Sequence, residues 1–408
     1  MVMPTAATPN NNSARKSSQR VALYAGVGPE LTHYDLDVDG AGLVKRGSVL
    51  LTAGVQYAWP HASRQYFYVA SSDRGPGAAA AGSGGGIHHL SAFRVDLASG
   101  ALQPHGDPVP LSHRPIHMTT DLPSEHALIA YSDPSHLTVH RINRDGTVGD
   151  EVKQPGLLDA GIYAHQVRVA PSNTMVILVT RGHDAKPGKP EDPGALKVFK
   201  YRDGVLSGEV SIAPGGGFGF GPRHLDFHPS QPWVYVSLER QHKVSLFTLD
   251  GDTLSSEPRF SKDTLAEPGN VRRRQLASTV HVHPNGRFVY GAERADATME
   301  VDGKQVFAGG ENTIVAYAID ERTGEPTLIQ RVATRGLHPR TFAIDPGGRV
   351  LIAANKSPMV VKEGNTLRTV PASMDVFRVG TDGKLDFVRK YDIDVGSHSI
   401  WWMGLMKL

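Results

Sequence analysis

A strand, a glycine-bearing turn and a second strand recur seven times along this chain. The copies read THYDLDVDGAGL, HLSAFRVDLASGAL, HLTVHRINRDGTV, LKVFKYRDGVL, KVSLFTLDGDTL, TIVAYAIDERTGEPTL and MDVFRVGTDGKL. Their turn glycines are Gly42, Gly100, Gly146, Gly204, Gly251, Gly324 and Gly383, roughly 46 to 73 residues apart. A second hairpin type alternates with the first, as in WPHASRQYFYVASSD (59–73), AHQVRVAPSNTMVILVTR (164–181) and FGPRHLDFHPSQPWVYVSLE (220–239). Each has a short strand, a Pro/Gly/Asn/Ser turn and a β-branched or aromatic strand. Two hairpins per period make four antiparallel strands per unit. Such a unit cannot bury both faces alone, and copies stack radially into a propeller. The expected fold is therefore all-β, a seven-bladed β-propeller with four antiparallel strands per blade, in one domain over residues 19–408. Two packed β-sandwiches are the alternative, but a sandwich has no reason to repeat one motif seven times.

Only six copies of the second hairpin are legible. The seventh blade is expected to be split, with VALYAG (21–26) and the C-terminal segment closing the ring together. Residues 1–18 are polar, lack an apolar core and read as a disordered tail rather than a signal peptide. No run of 18 apolar residues exists, so no membrane span is expected. The chain has no cysteine, which excludes disulfides, zinc–thiolate sites and cysteine nucleophiles and fits the cytoplasm. Net charge is +2 and Arg272-Arg273-Arg274 is the one basic run, so nucleic acid is not an expected partner. That run reads as a solvated loop. Oligomeric state is left open.

The chemistry is expected at the hairpin ends. Entry and exit of an antiparallel hairpin lie at the same end, and in a propeller all blades point the same way. The ends of the second hairpin type therefore converge on one rim. They bring His117, His165, Arg181, Arg223, His224, Glu239, Glu293, Arg294, Arg340 and Lys356 together. A cation-rich rim suits an anionic substrate, because arginine holds carboxylate or phosphate with two parallel bonds. A carboxylate or imidazole beside it can move a proton or activate water. Interblade salt bridges are the plainer reading of the same charges. Gly221-Pro222 would fix the direction of Arg223, since glycine permits a tight turn and proline fixes φ. Long loops at 75–86, 183–194 and 215–221 are placed to shape a binding site.

No cofactor or metal is expected. His88-His89 and the pair His281 and His283 lack a third ligand and read as packing or wet rim pairs. GGGFGFG lacks the helix and lysine of a nucleotide-binding loop. Trp59, Trp233, Trp401 and Trp402 read as packing residues. The apolar SIWWMGLMKL needs cover, from ring closure or a subunit contact.

AHQV (164–167), GPRHLDFHP (221–229) ending in VYVSLE, HPNGRFVYGAER (283–294) and GLHPRTFAIDPGGRVLIAAN (336–355) together resemble the lactonase family of seven-bladed propellers. That family includes bacterial 6-phosphogluconolactonases of the propeller type and fungal carboxymuconate-lactonizing enzymes. The resemblance covers roughly 20 to 395. It implies that His165, Arg223, His224, Glu239, Arg294 and Arg340 line the active site; of the rim residues as a whole, His165, Arg223, Glu239 and Arg294 are expected to be catalytic, and His117, Arg181, His224, Glu293, Arg340 and Lys356 to bind substrate. Glu293 departs from the family's usual asparagine. The loops at 75–86, 183–194 and 295–311 are longer than usual and the C-terminus is unfamiliar, which points to a changed substrate. Three functions stay open: a metal-independent lactonase acting on a small anionic lactone, a cycloisomerase closing an unsaturated diacid, and a non-catalytic binding propeller.

Overall fold

In the computed structural model the described residues are 20–75 and 86–408. The tail at 1–18 and most of the loop at 75–86 thus lie outside the described residues. Seven antiparallel sheets surround a central channel. Their inner strands are Gly54–Pro60, Pro115–Thr120, Ala164–Val169, Pro222–Phe227, Gln275–Val282, Pro339–Ile344 and Ile400–Lys407. We number the blades 1 to 7 in that order. Each inner strand touches the next, and that of blade 7 returns to blade 1. Blade 7 is the split one: Ile400–Lys407 pairs antiparallel with Val21–Val27, and Glu30–Asp37 and Gly42–Leu50 complete the sheet. The apolar C-terminus is therefore covered by ring closure, with Ile400, Met403 and Met406 buried.

The repeated turn glycines stitch neighbouring blades. Tyr24, Tyr68, Tyr235 and Tyr290 donate to the carbonyls of Gly100, Gly146, Gly324 and Gly383, each in the next blade. At Gly383, φ is +79° and an added Cβ would lie 2.3 Å from the Phe288 ring. A side chain there meets strain and a clash together. The same combination holds at Gly146, Gly204 and Gly324.

One sheet stands outside the propeller. The hairpin Thr298–Val301/Lys304–Phe307, inserted in blade 5, meets the hairpin Met359–Glu363/Thr366–Val370, inserted in blade 6. They join through one parallel bridge, Val306 to Val360. Both hairpins leave from the ends of second strands, on the face where the predicted rim lies. Among the described residues no helix is long and apolar enough to cross a membrane.

Candidate active site

Every inner strand carries an irregularity near its start. The pairing with the second strand skips Gln56, Ile116, His165, Arg223, Arg340 and Trp401 in their blades, and skips across Ser278-Thr279 in blade 5. A bulge leaves one residue unpaired and re-aims its side chain. Around the ring these bulged residues form one tier at one mouth of the channel. The second strands supply another tier. In blades 3 to 6 the residue opposite the pre-bulge position is Thr180, Leu238, Glu293 or Asn355. The next residue is Arg181, Glu239, Arg294 or Lys356. In the same four blades the residue entering the inner strand is left-handed: Tyr163, Gly221, Arg274 and His338 have φ from +48° to +59°.

Glu239 is the centre of the cluster. It is 3% exposed. Arg294 Nη2 donates to its Oε1, Arg181 Nε faces its Oε2, and Arg223 Nε lies 3.2 Å from Oε1. Burial alone would raise this carboxyl. Arg181, Arg294 and Arg223 together outweigh that and hold it down at about 2. One carboxylate thus answers three guanidiniums. The Nε atoms of Arg181, Arg223 and Arg294 are buried and form no aligned hydrogen bond. Buried donors of this kind are costly to leave unmade.

His165 borders the arginines with its Nδ1 buried and unpartnered. Burial, then Arg223 and its neighbours, keep its imidazole well below the ordinary 6.5 and hence neutral. The His224 ring lies 5.2 Å from it, tilted by 59°, and meets Thr279 Oγ1 at 3.1 Å. His117 lies beyond, 5.8 Å from His224 and 3.8 Å from Tyr57 between ring centres. His117 and His224 each follow a bulged residue. They occupy the channel beneath the cluster rather than its rim.

The structure does not bring Glu293 into the cluster. Its carboxylate is fully buried and accepts from Thr264 at 2.5 Å and Gln275 at 2.8 Å, with His242 Nδ1 at 3.1 Å. The reason is alternation: one step along a strand turns a side chain to the other face. Arg294 faces the channel, so Glu293 faces blade 4.

Sequence reasoning missed the support behind Arg294. Its Nη1 donates to His338 Nε2 at 3.0 Å, so the His338 proton sits on Nδ1, 3.2 Å from Asp296 Oδ2. Arg274 donates twice to Asp296, at 2.6 and 2.9 Å. The Arg272–274 run is thus part of an ion-paired support at Arg274, not merely a solvated loop. Asn312 Oδ1 accepts from the backbone of Ala295 and His338 and locks both strands. Only the quoted GLHPR segment held a trace of this support.

Trp401 is also corrected, from packing residue to part of the site. The Arg340 guanidinium lies 3.7 Å from its ring centre, Arg114 at 5.4 Å and Lys356 at 5.5 Å. Two adjoining cavities of about 540 and 420 Å³ open here and share Arg74, Gly75 and Arg114. The 183–194 loop is pinned beside the second cavity. Arg240 reaches Asp184 at 2.5 Å and also pairs with Glu191, while Asp184 meets Arg181 at 2.9 Å.

Among the described residues, no group of three or more His, Asp or Glu is placed to hold a metal ion. His281 lies 3.5 Å from Asp226. His283 bonds instead to the Gly348 carbonyl at 2.7 Å. The two share no partner.

Fold and site define a seven-bladed propeller with a guanidinium-lined pocket at one channel mouth. The chain belongs to the family described as Lactonase, 7-bladed beta-propeller, which it matches over residues 21–362. It is 27% identical over 302 residues to a 6-phosphogluconolactonase of Bacillus subtilis strain 168, covering 70% of this chain and 78% of that protein. It is 26% identical over 324 residues to a 6-phosphogluconolactonase of Serratia proteamaculans strain 568, covering 78% and 82%. The solved periplasmic gluconolactonase of Pseudomonas aeruginosa superposes with a TM-score of 0.68 at 20% identity, over 93% of this chain and 97% of that one. This last likeness is one of fold.

Proposed function

We propose that this chain hydrolyses the ring ester of a small lactone derived from a sugar acid or a related hydroxy acid, at the Glu239 cluster. The observation that carries the reading is three guanidiniums converging on one buried carboxylate, beside a neutral His165 whose Nδ1 has no partner. Arg223 and Arg294 polarise the lactone carbonyl and stabilise the oxyanion that forms, the term that is usually largest. His165 takes a proton from the attacking water. The carbonyl carbon gains that oxygen, the ring C–O bond breaks, and the imidazolium returns the proton to the leaving alkoxide. The product is a hydroxy acid. Glu239 is not the base in this scheme. Both of its oxygens are engaged by Arg181, Arg223 and Arg294, whereas His165 Nδ1 has no partner, and the role of Glu239 is to keep those arginines charged and aimed. The cysteine-free composition fits a reducing compartment, and the cytoplasm is the location we assign.

The test is acid release over 6-phosphogluconolactone, gluconolactone and muconolactone, with a chelator control. Hydrolysis that survives chelator and collapses in folded Arg223→Ala and His165→Gln supports the reading. No turnover of any lactone overturns it. Cyclisation of a muconate by the same protein would replace it with the cycloisomerase.

A further inference from the structure

Six buried or half-buried cations cannot all serve one carbonyl. They divide into two groups. Arg181, Arg223 and Arg294 face Glu239. Arg114, Arg340 and Lys356 surround Trp401 instead. The second group has no matching carboxylate. Among the described residues none of the three has an acidic side chain within 4 Å, whereas each cation of the first group does. Arg340 spends its Nε on the Trp401 carbonyl at 3.1 Å, and Arg114 spends its Nε on the Arg74 carbonyl at 3.0 Å. Arg114 is 9% exposed, yet its Nη2 is buried without a partner, and so is Trp401 Nε1. Arg114, Lys356 and Trp401 line the cavity of about 540 Å³, whose wall also holds the hydroxyls of Ser357, Ser397 and Ser399. Charge, unfilled donors and space coincide at one place.

We propose that this cage is a second oxyanion subsite, which takes a phosphoryl or carboxylate group carried on the substrate away from the ring being opened. Arg114, Lys356 and the Trp401 indole N–H are its donors, and Arg340 stands between it and the Glu239 cluster. Trp401 holds the cations together on its ring face, an attraction of electrostatic origin. The wall from Ser397 to Trp401 lies beyond residue 362, where the family match ends. The substrate preference it sets therefore draws on the C-terminal segment. As a role in substrate choice the inference rests on the lactonase reading. As an anion site it does not.

The test is isothermal titration of the full chain with inorganic phosphate and, separately, with succinate, against sodium chloride at matched ionic strength. One saturable site is expected. Loss of one charged donor should weaken it about tenfold in Lys356→Met and in Arg114→Gln. Tryptophan fluorescence should respond with the same midpoint, and Trp401→Phe should remove that response. The tighter of phosphate and succinate identifies the group. Equal binding by wild type and both charge variants overturns the subsite, as does a response that chloride reproduces. Binding abolished by Arg223→Ala alone also overturns it, by placing the anion at Glu239. The lactone assay separates the two readings. Phosphate binding at Trp401 without any lactone turnover keeps the subsite and removes the lactonase. Lactone turnover with anion binding indifferent to Lys356 and Arg114 does the reverse. Where both hold, Lys356→Met should lower kcat/KM more for a phosphorylated lactone than for its unphosphorylated counterpart.

Discussion

Glu239→Gln changes one atom and should expose how the site is held together. The amide keeps the shape of the carboxylate but not its charge. Arg181, Arg223 and Arg294 would then face one another with no counter-charge. Arg223 is already pushed down to about 9, by burial first and by Arg294 next. Breaking a buried ion pair by removing one partner costs about 3–5 kcal/mol. A chain of this length has an unfolding entropy near 0.8 kcal/mol per degree, from about 2 cal/mol/K per residue. The melting temperature should fall by about 4–6 °C. Activity should fall about 10²–10³-fold, the cost of a misplaced oxyanion donor. Scanning calorimetry and the lactone assay read the two effects. Glu239→Asp, which keeps the charge on a shorter arm, should recover most of the stability and little of the rate.

The pH dependence supplies an independent check. The folded carboxyl sits at about 2 and its ordinary value is 4.5. A lowered acid contributes fully above its unfolded value and loses that contribution as pH falls through the folded one. The gap in melting temperature between wild type and Glu239→Gln should therefore be constant above pH 4.5, narrow below it and close near pH 2. A variant that melts within 1 °C of wild type at neutral pH would refute the counter-charge argument. So would a gap that does not narrow in acid.

Other expectations follow from single contacts. His165→Gln should fold normally, since Nδ1 has no partner to lose, and should lower kcat about 10²–10⁴-fold; wild-type turnover would remove His165 as the proton acceptor. His338→Ala should lower kcat more than it raises KM, by freeing Arg294, and His338→Gln should restore part of the loss because its amide oxygen can accept from Arg294; equal loss in both would mean a packing role only. For an anionic substrate, kcat/KM should fall as pH rises through about 8, where burial and Arg340, with smaller help from Arg294 and Arg274 and against Asp296, place the Lys356 ammonium. Lys356→Arg should move that limb upward, and an unmoved limb would assign it elsewhere. Deleting residues 400–408 removes the inner strand of blade 7 and should abolish cooperative unfolding by circular dichroism; a wild-type melt would show the ring closes without it.

The architecture was legible because its cause is local and repeated. A turn glycine appears once per blade, a tyrosine of the neighbouring blade reaches four of them, and seven such turns leave little choice of fold. The split blade was legible too, since only six copies of the second hairpin could be found and VALYAG stood without one before it. The paired insert hairpins of blades 5 and 6 were not, because a single parallel bridge between Val306 and Val360 leaves no periodic trace.

At the site, antiparallel pairing was enough to place residues at the right end of a blade, but not to say which way they face. Facing depends on the bulge. Arg223, Arg340 and Trp401 are aimed into the channel mouth because each is the residue that the ladder skips. Glu293 is one residue from Arg294 and faces away, into a pocket that satisfies it. No residue type marks a bulge, so a charged residue one step off could not be told from a ligand-facing one. The same ambiguity hid Trp401. An indole at that position is ordinary core material in an apolar strand such as SIWWMGLMKL. It becomes a platform for three cations only because the strand is skipped there and because Arg340 and Lys356, from the preceding blade, arrive at the same height. The distribution of charge across the mouth is thus a property of the ring closing, and the last strand of the chain decides which anion that mouth can hold.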